Sequence, residues 1–273
     1  MTTVAAALAA ARQSLPASEA RLLLGHAMVK PAVWLLAHGE EVLDEAALQS
    51  FASLVARRKG GEPIAYLIGH REFFGREFAV SSAVLIPRPE TELLVDIVLE
   101  KKVGAGDTAK LLDLGTGSGC IAITLALEMP QAIVTAVDAS VAALAVAGQN
   151  ALRHGVRVHL LQSDWLAALA GERFDLIVSN PPYIADADLH LAAGDLRHEP
   201  LAALASGRDG LEAIRRIVAD APQHLTPGGQ LWLEHGYDQA GVVRELFAAA
   251  GFQDVEQLHD LAGILRATGG RRN

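Results

Sequence analysis

Residues 111–122 read LLDLGTGSGCIA, an apolar run that passes through three glycines into a second apolar segment. The first run is typical of a buried strand, and the residues from Cys120 onward are typical of the first turn of a helix. Glycines in a strand-to-helix turn let a ligand approach the backbone closely, at the sheet edge where such folds bind ligands. The stretch therefore predicts an α/β fold with a ligand site at this turn.

Strand and helix patterns alternate on the C-terminal side of this turn, which predicts a mostly parallel sheet with helices on both faces. We expect strands at 110–114, 133–138, 157–162, 174–179 and 230–235, and two late strands near Val255 and Ile264. We expect helices at 93–100, 120–127, 141–154, 211–221 and 239–250. Pro227, Gly228 and Gly229 predict a turn before the fifth strand.

The N-terminal part of the chain has a different pattern. Up to about Leu54 the apolar residues recur at helical spacing, and the segment from Ile64 to Val84 is typical of a short hairpin hinged at Gly75. We therefore predict two domains. Residues 1–80 would form a small helical domain with a linking hairpin, and residues 81–273 would form the α/β domain.

Composition limits the class of protein. The chain has 273 residues, of which 51% are hydrophobic, and its net charge is −9. That balance argues against a protein that holds duplex DNA by neutralising many phosphates. No apolar run reaches the ~18 residues that a membrane span needs. Cys120 is the one cysteine, so no intrachain disulfide is expected and a reducing, cytoplasmic setting is predicted.

Acidic and aromatic side chains follow the first three predicted strands of the α/β part. Asp113 precedes a G-x-G-x-G turn, a spacing that fits a dinucleotide pyrophosphate poorly, and its carboxylate favours a cationic ligand. Asp138 ends the next strand, where an acid accepts hydrogen bonds from ribose hydroxyls. Asp164 and Trp165 follow the third strand, where they can bind an adenine amino group and cover its ring.

The fourth predicted strand ends in Asn180-Pro181-Pro182-Tyr183. Two prolines cannot continue a central strand, so the chain must leave the sheet in an extended turn. The Asn180 carboxamide oxygen and a free carbonyl can together accept both hydrogens of a planar NH2 group, and Tyr183 offers a flat face. The turn therefore predicts a receptor for an amide or an exocyclic amine.

Each feature taken alone also has a purely structural interpretation. A glycine-rich turn can serve tight packing, Asp138 and Asp164 can cap helices, and Trp165 can belong to the core. Their order along successive strand ends favours a common site. Cys120 is interpreted as a small buried hydrophobe, and His198 with its acidic neighbour lacks further ligands at metal spacing, so no metal is predicted.

Together these motifs resemble the class I S-adenosylmethionine-dependent methyltransferases, with the Asn-Pro-Pro-Tyr turn in the place of the amino-methylating signature. More narrowly, the chain resembles the HemK/PrmC family, the glutamine N5-methyltransferases of peptide chain release factors. The resemblance covers nearly the whole chain. It is carried by the glycine turn, by the Asn-Pro-Pro-Tyr turn, and by GEPIAY at 61–66, LIPRPETE at 85–92 and EPLAAL at 199–204.

This resemblance implies a Rossmann-like seven-stranded sheet, S-adenosylmethionine as cofactor, and class-1 peptide chain release factors as the protein substrate. The methyl acceptor would be the glutamine of their Gly-Gly-Gln motif, and the N-terminal domain would help to bind the release factor. The expected cofactor contacts are Asp113, Gly115, Thr116, Gly117, Ser118, Gly119, Asp138, Asp164, Trp165 and Asn180. The expected substrate contacts are Asn180, Pro181, Pro182 and Tyr183.

We expect Asn180, Pro181 and Tyr183 to carry the chemistry. The Asn180 side-chain oxygen and the Pro181 carbonyl would accept the two N–H bonds of the glutamine amide, while Tyr183 would hold the amide plane. An adenine-N6 methyltransferase on DNA or RNA remains the alternative enzyme, although no large basic or aromatic target-recognition region is present. A non-catalytic scaffold that binds S-adenosylmethionine is the alternative of another class.

Overall fold

The computed structural model describes residues 1–101 and 108–273. The chain divides into two compact units, Met1–His70 and Arg71–Asn273. The first unit is helical, and its apolar core contains Leu23, Leu24 and Phe51. Its helices are α1 Val4–Ala11, α2 Ala17–Met28, α3 Trp34–Ala37, α4 Glu45–Lys59 and α5 Ile64–Ile68.

The segment from Ile64 onward differs in part from the expected hairpin. Residues 64–68 form α5 because Pro63 precedes its first turn and Gly69, with φ of 80°, ends it in the left-handed conformation. The hairpin itself consists of β1 His70–Phe73 and β2 Arg76–Ala79. It turns at Phe74 and Gly75, both of which have positive φ, so the hinge at Gly75 is confirmed.

The second unit alternates strands and helices, as the sequence predicts. Its further elements are α6 Glu92–Lys101, β3 Lys110–Leu114, α7 Cys120–Glu128, β4 Ile133–Asp138, α8 Val141–His154, β5 His159–Gln162, β6 Phe174–Ser179, α9 Glu212–His224, β7 Leu225–Glu234, α10 Ala240–Ala249, β8 Gln253–His259 and β9 Leu265–Arg271. The sheet order is β5-β4-β3-β6-β7-β9-β8. Strands β3 to β7 pair in parallel, and β9 pairs antiparallel with both neighbours.

The predicted starts of two strands were wrong. Strand β5 begins at His159 rather than at 157, because the preceding residues close the C-terminal end of α8 through a bond from Val156 N to Ala151 O. Strand β7 begins at Leu225 rather than at Gln230. The expected Pro-Gly-Gly turn lies within β7, where the register with β6 shifts in a bulge.

The direction in which the chain adds strands reverses between β3 and β6, which lie side by side in the middle of the sheet. Ligands in open α/β sheets bind at this reversal, outside the carboxyl ends of the strands. The Ser179 hydroxyl donates to the Leu114 carbonyl at 2.7 Å and joins the two strand ends. The glycine turn and the Asn-Pro-Pro-Tyr turn thus leave the sheet from adjacent positions.

Candidate active site

A cavity of about 410 Å³ lies at this edge of the sheet, within the usual size range of small-molecule sites. The cavity walls also include the segment before α6, with Arg88 and Thr91. Of the residues predicted from the sequence, those that line it are Gly115, Thr116, Gly117, Ser118, Asp138, Asp164, Trp165, Asn180 and Pro182. The predicted residues outside its lining are Asp113, Gly119, Pro181 and Tyr183.

The three glycines of the first turn have positive φ, but they face different surroundings. At Gly115 a Cβ would lie 3.3 Å from the Trp165 ring, so the missing side chain makes room for that ring. At Gly117 a Cβ would meet nothing within 4 Å, which leaves this wall of the cavity open. At Gly119 a Cβ would lie 3.1 Å from the Ala147 Cβ, so this glycine serves the packing of α7 on α8.

Asp113 lies beneath the turn and is 1% exposed. Its Oδ2 accepts a hydrogen bond from the Thr116 hydroxyl at 2.7 Å, and its Oδ1 is buried without a partner among the described residues. Burial raises the pKa of Asp113 to about 7, while the bond from Thr116 acts against the rise. Cys120 is also buried, and burial raises the pKa of its thiol to about 12, which argues against a nucleophilic role.

Asp138, at the end of β4, is held by two backbone N–H groups. Its Oδ2 accepts from Gly117 N at 2.9 Å and its Oδ1 accepts from Ser140 N at 2.8 Å. A carboxylate oxygen has a second lone pair, so both oxygens keep an acceptor position for a ligand hydroxyl. At the end of β5, Asp164 forms an ion pair with Arg216 at 2.7 Å, beside Trp165.

The Asn-Pro-Pro-Tyr turn is held at both of its ends. Besides the Ser179 bond before it, the Tyr183 carbonyl accepts a hydrogen bond from Gln239 Nε2 at 2.8 Å. Pro181 is buried, and no donor among the described residues bonds its carbonyl oxygen. Asn180 Nδ2 donates to the Thr91 hydroxyl at 3.0 Å, which leaves Asn180 Oδ1 as a further acceptor.

Sequence reasoning missed two residues behind this turn. Thr91 Oγ1 donates to Glu234 Oε2 at 2.7 Å, and the Tyr183 hydroxyl donates to Glu234 Oε1 at 3.1 Å. Glu234 is 1% exposed and Thr91 is 2% exposed. The available signal was the position of Glu234, a single acid at the end of an apolar strand and hence at the ligand-binding edge of the sheet.

A second missed contact joins two motifs that carried the family resemblance. Glu199, whose side chain is fully buried, forms an ion pair with Arg88. The other Glu199 oxygen accepts from Ile86 N at 2.9 Å. The carboxylate therefore fixes the 85–92 segment against the segment that begins at residue 199, along one wall of the cavity.

These residues fit an adenosine-containing sulfonium cofactor. The open wall at Gly117 admits a ligand close to the backbone, the Asp138 oxygens suit ribose hydroxyls, and Trp165 suits a planar base. Among the described residues, no group of three or more His, Cys, Asp and Glu side chains is placed to hold a metal ion. Nor do the described helices include one long and apolar enough to cross a membrane.

Both parts of the chain match known families. Residues 89–207 match the methyltransferase small domain, and residues 1–69 match the PrmC N-terminal domain. In fold, the chain is similar to a methyltransferase from Pyrococcus furiosus, with a TM-score of 0.56 over 81% of this chain and 99% of that chain. The two sequences are 21% identical, so this likeness concerns the fold alone.

Similarity to several bacterial enzymes extends over nearly the full length. The chain is 55% identical to the release factor glutamine methyltransferase of Burkholderia pseudomallei, over 94% of this chain and 92% of the relative. It is 53% identical to that of Bordetella pertussis, over 94% and 95% of the two chains. The chain therefore belongs to the release factor glutamine methyltransferase family of S-adenosylmethionine-dependent enzymes.

Proposed function

We propose that the enzyme transfers a methyl group from S-adenosylmethionine to the side-chain nitrogen, N5, of the glutamine in the Gly-Gly-Gln motif of class-1 peptide chain release factors. One observation carries the proposal: no donor among the described residues bonds Asn180 Oδ1 or the Pro181 carbonyl oxygen, and both follow the carboxyl end of β6. They lie beside the strand end that leads into the glycine turn. The similarity to the release factor glutamine methyltransferases supports this choice of substrate.

The chain's own part in the reaction is to orient a weak nucleophile. When bound, S-adenosylmethionine supplies an electrophilic methyl group on a positively charged sulfur. An amide nitrogen attacks poorly because its lone pair is delocalised into the carbonyl. Asn180 and Pro181 would accept the two N–H bonds, hold the nitrogen in line with the methyl, and stabilise the positive charge that develops on it.

The cofactor contacts form the second part of the proposal. Gly117 lets the ligand pass close to the backbone, and Asp138 binds the ribose hydroxyls through its remaining lone pairs. Asp164 and Trp165 bind the adenine. Asp113 and Gly119 support the turn from below, since burial and packing respectively account for their positions.

The N-terminal residues complete the proposal. We assign residues 1–80 to recognition of the release factor, in agreement with the match of residues 1–69 to the PrmC N-terminal domain. We place the reaction in the cytoplasm, since translation termination takes place there and the single cysteine needs no oxidising compartment.

Transfer of labelled methyl tests this function. Purified enzyme would be given labelled S-adenosylmethionine with a release factor, with the same factor whose Gly-Gly-Gln glutamine is replaced by alanine, and with duplex DNA and RNA in parallel. We expect label on the native release factor alone. Label on nucleic acid would instead establish an adenine methyltransferase, and cofactor binding without any transfer would establish a scaffold.

A further inference from the structure

A network of hydrogen bonds runs from the Asn-Pro-Pro-Tyr turn to the buried Glu234. Asn180 Nδ2 donates to Thr91 Oγ1 at 3.0 Å, and Thr91 donates to Glu234 Oε2 at 2.7 Å. The other oxygen of Glu234 accepts from the Tyr183 hydroxyl at 3.1 Å. The other three members of this network come from the turn before α6, the end of β7 and the Asn-Pro-Pro-Tyr turn itself.

The order of donors in this network follows from the charge at its inner end. An ionised carboxylate has no proton to give, so Thr91 must donate its single hydroxyl proton to Glu234. The Thr91 oxygen then has only lone pairs left for Asn180, so Asn180 must turn its NH2 group toward Thr91. The Asn180 carbonyl oxygen consequently faces away from Thr91, on a residue that lines the cavity.

We propose that Glu234 is a positioning residue that, through Thr91, fixes the Asn180 carboxamide with its oxygen toward the substrate, so that the NH2 end of a substrate amide docks there and its carbonyl end does not. This inference rests on the proposed function. A rotated Asn180 would present its own NH2 group to the substrate NH2, and two donors that face each other leave both unpaired. The fixed Asn180 carboxamide would therefore orient the substrate amide and also exclude the binding of its carbonyl end.

The charges around Glu234 make this orientation depend on pH. Burial raises the pKa of Glu234 to about 7, against the bonds from Thr91 and Tyr183 and the positive charge of Arg266. Burial also raises the pKa of Tyr183, which therefore remains a donor. Once protonated, Glu234 can donate to Thr91, which frees the Thr91 proton for Asn180 Oδ1. Among the described residues, the charged and titratable groups that act on the pKa of Glu234 are Tyr183, Arg266 and Glu90.

Variants at two positions test the inference on the full-length enzyme with a release factor and saturating S-adenosylmethionine. Thr91→Val removes the hydroxyl at nearly constant volume, and we expect kcat to fall about ten- to hundredfold with cofactor Kd changed by less than about threefold. Thr91→Ser keeps the hydroxyl and should restore most of kcat. In Glu234→Gln the fall of kcat below about pH 7 that we expect of the native enzyme should be absent.

Native kcat in Thr91→Val, or an unchanged acid limb in Glu234→Gln, would overturn the inference. If Glu234→Gln does not fold, the Thr91→Val and Thr91→Ser pair decides. A second readout needs no substrate: the NMR signals of the Asn180 NH2 group should shift in Thr91→Val and remain near their native positions in Thr91→Ser. Unshifted signals in Thr91→Val would refute the inference, whereas a native enzyme that methylates no release factor would refute the proposed function.

Discussion

At the scale of single residues, Asn180 and Asp138 divide the work of the site. In the proposed function Asn180, just after β6, would offer its carboxamide oxygen to the substrate, while its NH2 group donates to Thr91. Asp138, at the end of β4, would offer acceptors to the cofactor, and its oxygens already accept from two backbone N–H groups. Because the two side chains lie at different strand ends, substitution of Asn180 should affect mainly kcat, and substitution of Asp138 should affect mainly the cofactor Kd.

We predict that Asn180→Ala mainly lowers kcat and that Asp138→Ala mainly raises the cofactor Kd. Loss of one preorganised acceptor should lower kcat of Asn180→Ala about 10²- to 10³-fold, with a smaller change in cofactor Kd. Loss of hydrogen bonds to a charged acceptor should raise the cofactor Kd of Asp138→Ala about ten- to hundredfold. Calorimetric titration and steady-state kinetics on both variants measure these constants. Near-normal turnover in Asn180→Ala would exclude its proposed role, and an unchanged Kd in Asp138→Ala would exclude the ribose contact.

Some site residues can be predicted from local sequence pattern, whereas others depend on contacts between distant parts of the sequence. Asn180 and Asp138 stand at the ends of apolar runs, so local pattern and sheet geometry predict where they lie. Glu234 accepts a hydrogen bond from Thr91, which is 143 positions away in the sequence. No local pattern pairs two residues across such a distance, so this part of the site became visible only in the folded protein.

At the scale of elements, the glycine turn between β3 and α7 combines two functions that the sequence does not separate. Its glycines share a positive φ, but one faces the cavity and another faces α8. The surroundings of each missing Cβ, rather than the glycine spacing, distinguish a ligand wall from a packing contact. The turn therefore permits a crossed test with one methyl group added at either position.

We predict that Gly119→Ala mainly lowers the free energy of unfolding, whereas Gly117→Ala mainly lowers the affinity for the cofactor. Both substitutions cost about 1–2 kcal/mol of backbone strain. At Gly119 the added Cβ also meets Ile123 Cδ1 at 2.8 Å and Ala147 Cβ at 3.1 Å, so the free energy of unfolding should fall further. At Gly117 the Cβ enters open space in the cavity wall, so cofactor affinity should fall more than stability.

Denaturant unfolding measures the loss of stability in each variant, and cofactor titration measures the loss of affinity. Equal losses of unfolding free energy in the two variants, with native cofactor affinity in Gly117→Ala, would show that the turn has no such division. The strands of the sheet also differ in how well their bounds were predicted. Strands β3, β4 and β6 have the predicted bounds. Strand β7 begins earlier because Leu225 already pairs with Phe174 of β6, and because Gly228 and Gly229 bond to the backbone of Arg272.

At the scale of the whole molecule, two buried acids near the site, Asp113 and Glu234, make the free energy of unfolding depend on pH. The pKa of Asp113 and that of Glu234 are both raised to about 7, chiefly by burial. Between about pH 4 and about pH 7 the folded state therefore holds protons that the unfolded state has released. Each group lowers the free energy of unfolding as pH rises through this window. The lowered pKa of His235 acts in the opposite direction, so a variant must isolate the effect of one acid.

We predict that Glu234→Gln becomes more stable relative to the native enzyme as pH rises from about 5 to about 8. At the lower pH the neutral acid resembles glutamine, and at the higher pH the native enzyme must bury a charge that the variant lacks. The expected gain is of the order of a few kcal/mol. Denaturant unfolding of both proteins across this range measures the difference. Parallel stability curves would contradict the raised pKa of Glu234.

The sequence predicts the outline of the molecule well because strand ends, glycine turns and proline turns are local features. The seven-stranded sheet, the helices on both of its faces and the helical N-terminal part were all expected from periodicity and from the family resemblance. The Arg88–Glu199 pair was not, although both of its segments carried that resemblance. Motifs mark which segments matter, and the folded chain shows which of them meet.

The Asn-Pro-Pro-Tyr turn is proposed to direct a methyl group to the side-chain nitrogen of one glutamine. The most direct test is fragment-ion mass spectrometry of a release factor after reaction with native enzyme and with Asn180→Ala. We predict one added methyl on the glutamine side-chain nitrogen of the Gly-Gly-Gln peptide with native enzyme, and its near absence with the variant at equal cofactor occupancy. A methyl group on another residue, or on that glutamine at equal yield with Asn180→Ala, would contradict the claim.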